Sequence, residues 1–182
     1  HDESSINQYF YEVENNDARI GAVKSLLYKF QPKSAVIFCN TKAECQALTD
    51  NLNQQGFDCG ALHGDLEQRD RDRTLIRFAN KSLTVLIATD VAARGIDVND
   101  LDMVVNYHIA HDPEVHVHRI GRTGRAGNTG VACSLVSHKE AHKVIRLEEY
   151  LNQEISPEPL PADDVFKNKL IQAAMVTLQI DG

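Results

Sequence analysis

The chain has 182 residues, 42% hydrophobic and 25% charged, with a formal net charge of −7; this suits one domain with its own core and excludes a low-complexity or collagen-like chain. No apolar run approaches the roughly twenty residues that a membrane-crossing helix needs. The opening "HDESSINQ" is too polar for a signal peptide, and four cysteines without a C-x-x-C pair argue for reduced thiols in a cytoplasmic protein, not for a zinc site or a disulfide framework.

Taken in order, apolar runs alternate with amphipathic stretches. "INQYFYEV" (6–13) alternates and predicts a strand, and Asn16 and Asp17 are placed to cap a helix with Ile20, Val23 and Leu27 on one face. "SAVIFC" (34–39) is apolar throughout and predicts a buried strand. Thr41 then caps a helix with Cys45, Leu48 and Leu52 on one face, which Gly56 ends. "CGALH" (59–63) predicts a third strand and "LEQRDRDRTLIRFANKS" (66–82) a strongly charged helix. Strands follow at 83–89, 103–107 and 130–136, then a helix with Ala141, Val144, Leu147 and Leu151 on one face. Strands apolar on both faces, separated by helices, predict an α/β domain: a doubly wound parallel sheet with helices on both faces.

This body spans 1–152. After it, the prolines at 157, 159 and 161 predict an extended linker, and 165–182 a short helix with no identified packing partner, so 153–182 reads as linker and extension. Residues 148–182 hold seven acids and two bases. The body is therefore nearly balanced, and a specific phosphate groove on it is compatible with the overall acidity.

The unusual segments all fall where such sheets bind ligands, at the carboxyl ends of strands. In "HGDLEQRDRDR" (63–73), Gly64 lets a backbone come close, Asp65 is placed to cap the helix, and Gln68 and Arg71 share a face suited to phosphate. Arg69, Asp70, Asp72 and Arg73 read as an exposed face laced with Arg/Asp pairs. In "ATDVAARGIDV" (88–98), Thr89 offers a hydroxyl to a backbone phosphate, and Asp97 beside Gly95 offers a carboxylate to ribose hydroxyls. The competing reading of that loop pairs Arg94 with Asp90 or Asp97.

In "HRIGRTGRAG" (118–127), Arg119, Arg122 and Arg125 recur every three residues between glycines. Guanidinium forks match phosphate oxygens, and helical spacing would place Arg122 and Arg125 on one face, open to a cleft. The histidines at 108, 111, 116 and 118 have no cysteine or carboxylate at a recognised ligand spacing, so no metal site is read there. A complete G-x-x-x-x-G-K-[ST] loop is absent. Arginines aimed at phosphate without that loop look like the second half of a divided site.

In this order and spacing, "VIFCNTK", "HGDLEQRDR", "ATDVAARGIDV" and "HRIGRTGRAG" resemble the C-terminal RecA-like domain of DEAD-box RNA helicases over roughly residues 6–152. The resemblance implies an ATP-dependent RNA helicase in which this chain is a middle domain, with an RNA-recognition domain following. It implies arginine-finger roles for Arg122 and Arg125, a nucleotide site that includes Gly95 and Asp97, RNA-backbone contacts at Gly64, Gln68, Arg71 and Thr89, and coupling of these motifs by His118 and Arg119. The implied cofactor is ATP, with Mg2+ held by an N-terminal RecA-like domain of the same protein. The implied partner is RNA, for the bacterial branch it most resembles ribosomal RNA of the large subunit. The alternative is a stand-alone, non-catalytic RNA- or phosphate-binding module.

Overall fold

A computed structural model describes residues 5–94, 96–124 and 129–161. The expected strands all form: β1 (Ile6–Glu12), β2 (Ala35–Cys39), β3 (Cys59–Leu62), β4 (Val85–Thr89), β5 (Met103–Asn106) and β6 (Gly130–Val136). They make one sheet in the order β1-β6-β5-β2-β4-β3, and every pairing is parallel. The helices are α1 (Ala18–Phe30), α2 (Lys42–Gln54), α3 (Gln68–Ala79), α4 (Asp90–Ala93), α5 (Pro113–Ile120) and α6 (Ala141–Leu151).

Continuous apolar runs become strands here because successive side chains point to opposite faces and both faces are covered. Ala35, Ile37 and Cys39 of β2 pack with Leu26 of α1 and Leu48 of α2, whereas Val36 and Phe38 pack with Phe78 of α3 and Ala92 of α4. All four cysteines are buried and unpaired, Cys39 and Cys133 within strands. Burial pushes their thiols well above the usual range, as structural cysteines require.

Several local expectations are corrected. Asp17 holds the N-cap position of α1 but makes no side-chain cap bond; Asn15 accepts from the Ala18 N–H at 3.0 Å, and Asn16 accepts from Arg19 Nε at 3.1 Å. Thr41 caps α2 as expected, accepting from the Glu44 N–H at 3.2 Å. The charged helix α3 is shorter than 66–82. It starts beyond Glu67, which is extended, and stops at Asn80, whose side chain accepts from Ser82 N–H at 2.9 Å. Asp65 therefore does not cap it, and pairs with Lys42 Nζ at 2.9 Å.

Helix α5 has no counterpart among the elements expected from the sequence. Asp112 caps it, accepting from Glu114 N–H at 2.9 Å, and Pro113 sits in its first turn. It ends at Ile120, so Arg122 lies in the turn after the helix; Arg125, expected to share a face with it, lies outside the described residues. Gly124 follows at φ 71°, and a Cβ there would meet Ile6 Cγ1 at 2.6 Å, so conformation and packing both demand glycine.

Residues beyond α6 stay on the domain as far as they are described. Glu158 N–H donates to Phe10 O, and Glu158 O accepts from Glu12 N–H, both at 2.8 Å, laying a strap along the outer edge of β1. The expected helix over 165–182 lies outside the described residues.

Candidate functional site

Arg119 is the centre of the carboxyl edge. Helix α5 points its side chain inward, 2% exposed, over the Phe38 ring at 5.3 Å. Nε and Nη2 donate to the two Asp90 oxygens at 2.7 and 2.6 Å. Nη2 also reaches Asn40 Oδ1 at 2.8 Å, and Nη1 reaches His108 O at 2.8 Å and Asn106 Oδ1 at 3.3 Å. Every guanidinium N–H is thus satisfied, as a buried charge requires. Asn106 passes the network on to Ser134 Oγ at 2.9 Å, so one side chain ties α5 to β2, α4, β5 and β6.

Arg122 reaches the cavity edge but does not project freely from the domain. It is half-buried, and its guanidinium is docked on main-chain carbonyls: Nη1 on Ile96 O at 3.0 Å and Val98 O at 3.2 Å, Nη2 on Ala93 O at 2.9 Å. The turn is further pinned by the Thr123 hydroxyl on Leu101 O and by Leu101 N–H on Arg122 O at 3.0 Å. Arg122 therefore shapes the loop that presents Asp97. Asp97 itself is exposed and accepts from the Asn99 amide. No ion pair joins Arg94 to Asp90 or Asp97 among the described residues, because Arg119 takes Asp90. Phe38, Asp90, Arg94, His118, Arg119 and Arg122 help line a cavity of about 110 Å³. His118 is exposed at it, unlike the buried Arg119. Gly95 and Arg125 lie outside the described residues.

Of the residues expected to meet RNA, Thr89 and Arg71 come together at Ala92 of α4, whereas Gln68 and Gly64 make no hydrogen bond to either among the described residues. The Thr89 hydroxyl caps α4, accepting from Ala92 N–H at 3.4 Å, and Arg71 Nη2 donates to the Ala92 carbonyl at 3.3 Å. Arg71 Nε is buried and finds no acceptor among the described residues. Gln68 Nε2 donates to Asp72 at 2.8 Å. Gly64 is exposed, and a Cβ there would meet nothing nearer than Lys42 Cδ at 3.9 Å. Packing within the domain does not require glycine at 64.

A second buried network carries no motif in the sequence. Arg19, 1% exposed, donates to Tyr107 O at 2.6 Å, Leu135 O at 3.1 Å and the Glu140 carboxylate. Burial raises the Glu140 pKa, but the His108 ring, the Ser137 N–H and Arg19 together overcome it and hold the carboxyl at about 2. His108 also pairs with Glu44, and its carbonyl serves Arg119, so the two networks meet at one residue. His116 is buried separately against Gln8 at 3.1 Å, and burial followed by the Arg119 charge lowers it to about 4. His108 and His116 thus serve different parts of the fold, while His111 and His118 are exposed.

Residues 18–127 match the helicase conserved C-terminal domain family. The chain is 50% identical over 177 residues to the ATP-dependent RNA helicase DbpA of Escherichia coli, covering 97% of this chain and 38% of that protein. Among solved structures, a DEAD box protein from Methanococcus jannaschii superposes with a TM-score of 0.75 at 41% identity, covering 84% of this chain and 42% of that one. A Saccharomyces cerevisiae Dbp5 variant bound to RNA and ADP–BeF3 gives 0.78 at 34% identity, covering 92% and 44%. The chain thus spans well under half the length of each of these relatives.

Proposed function

This chain belongs to the helicase conserved C-terminal domain family, in its DEAD-box branch, and from that premise we propose that it works as the second RecA-like half of an ATP-dependent RNA helicase. The supporting observation is that a single basic segment holds both sides of the candidate site. Arg119 grips Asp90 on the helix that Thr89 caps, and Arg122 grips the loop that carries Asp97.

ATP, when bound, supplies the phosphoryl group that passes to water. Arg122 and Arg125 serve as arginine fingers toward its oxygens. For Arg122 this means leaving three neutral carbonyls for charged oxygens, to which hydrogen bonds are roughly twice as strong. Asp97, with Gly95 beside it, accepts from the ribose, and His118 and Arg119 couple this side to the RNA side. Gly64, Gln68, Arg71 and Thr89 hold the RNA backbone, which gives grip without sequence preference. The phosphate loop and the Mg2+ ligands are assigned to an N-terminal RecA-like domain of the same protein. Ribosomal RNA of the large subunit is the assigned substrate, and the cytoplasm the assigned location.

The test is RNA-stimulated ATP hydrolysis and unwinding of a labelled duplex by the whole protein, beside the 182-residue chain alone. Activity is expected only in the whole protein. Steady turnover by the chain alone would overturn the divided site.

A further inference from the structure

Helix α3 presents a second basic surface outside the candidate site. The alternating signs of its sequence predict a face of mutually neutralising Arg/Asp pairs. Among the described residues no ion pair forms on α3, and Asp72 is engaged by Gln68 Nε2 instead. Arg69, Arg73 and Arg77 are exposed and follow one another at four-residue intervals, with Ile76, 64% exposed, between them. Leu75 and Phe78 turn the opposite side of the helix to the core, so the three arginines project away from the domain. Residues 68–81 hold five bases and two acids in a chain whose net charge is −7. This helix therefore stands out electrostatically from the rest of the surface.

We propose that Arg69, Arg73 and Arg77 form an outer phosphate track that holds RNA leaving the Gln68–Arg71 contact, an inference that rests on the helicase reading above. Four residues advance a helix by about 6 Å, the order of the separation of neighbouring phosphates along an RNA strand. Each guanidinium fork can engage one phosphate bidentately, and Ile76 offers apolar surface to the intervening sugar. Continuity favours RNA over an acidic protein. Arg69 follows Gln68 in the first turn of α3, so the track starts beside the Gln68 end of the proposed backbone contact and runs along the outer side of the helix, opposite Arg71. The track touches neither Arg122 nor Asp97, so it adds grip on RNA without entering the chemistry.

The experiment compares the whole protein with an Arg69→Gln/Arg73→Gln/Arg77→Gln variant, using a fluorescein-labelled duplex with a single-stranded extension at several salt concentrations. Arg71→Ala serves as the reference for the helicase reading. The triple variant is expected to keep its melting temperature and its RNA-saturated ATPase rate while binding the extended duplex roughly tenfold more weakly. Its log–log salt slope should be shallower by about 2, near 0.7 for each single-strand phosphate that the protein no longer neutralises. An unchanged isotherm and slope in the triple variant, with binding weakened by Arg71→Ala, would overturn the track and leave the helicase reading standing. RNA binding absent from the unaltered protein would overturn both. An unchanged RNA isotherm with polyglutamate binding abolished only in the triple variant would assign the stripe to an acidic protein and overturn the proposal.

Discussion

Arg119 and Asp90 meet in a two-pronged ion pair, with Nε–Oδ1 at 2.7 Å and Nη2–Oδ2 at 2.6 Å, the guanidinium almost fully buried and the carboxylate about a third exposed. Removing one partner leaves the other charge desolvated, which costs about 3–5 kcal/mol in buried pairs. Arg119→Ala should fall at the upper end, since it also strips Asn40, Asn106 and the His108 carbonyl of a donor. Asp90→Ala should fall at or below the lower end. Urea unfolding of the two variants checks the order, and equal losses would show that the satellite bonds contribute nothing.

Arg122→Ala should be both unstable and inactive. Its three carbonyl bonds make it part of the scaffold, and hydrogen bonds to charged groups contribute about 1.5–3 kcal/mol. The fall in turnover of the whole enzyme should be about a hundredfold or more. Arg122→Lys should recover part of each. A variant with normal stability and abolished turnover would mean that the docking onto the 93–98 loop is incidental.

Asp97→Ala separates stability from binding in the opposite way. The carboxylate is exposed and bonded only to the neighbouring Asn99 amide among the described residues, so the melting temperature should hold. Nucleotide affinity should fall by about 1.5–3 kcal/mol, at least a tenfold rise in Kd. Calorimetric titration of ATP and a thermal melt on one preparation make the comparison.

Gly64→Ala should fold normally, because the added methyl enters open space. It should weaken RNA binding by the whole protein if a ribose–phosphate chain passes against that backbone. Gly130→Ala is the contrast: its Cβ would collide with Thr123 and the Gly124 main chain, so it should destabilise the domain.

Acid should destabilise the domain in two steps. The folded state keeps His116 neutral down to about 4, while an unfolded histidine takes up a proton near 6.5. The unfolded state therefore binds more protons between those values, and stability falls as pH drops through that window. Glu140, held at about 2, adds stability that is present above the usual glutamate range and is lost as pH falls from there toward 2. His116→Gln should flatten the upper step alone, measured as midpoint of urea unfolding against pH.

The sheet is legible in the sequence because its strands are apolar on both faces, as in "SAVIFC" and "LTVLIAT", and only burial between two helical layers satisfies such runs. Helix α5 is masked by the Arg–Gly string that overlaps its end, although Asp112-Pro113 at its start is a readable cap. The role of Arg19 is hidden by distance: its partners lie at 107, 135 and 140, and two of them are carbonyls that every residue possesses. The same holds for Arg122. Its arginine identity is legible, but not the carbonyls it finds. On α3, alternating signs suggest pairing, yet i,i+3 neighbours gain little in water and the helix leaves the arginines apart.

The strap at Glu158 has a consequence for how this domain behaves among its own copies. β1 is a terminal strand of a six-stranded sheet, and among the described residues its outward amides and carbonyls are met where Glu158 bridges Phe10 and Glu12. A chain cut after Asn152 would bare that row, an invitation to a strand from another molecule. Such a chain should form dimers or insoluble aggregates at concentrations where the strapped one stays monomeric. The proline-rich stretch beyond α6 would then act less as a spacer than as a guard against self-templated assembly.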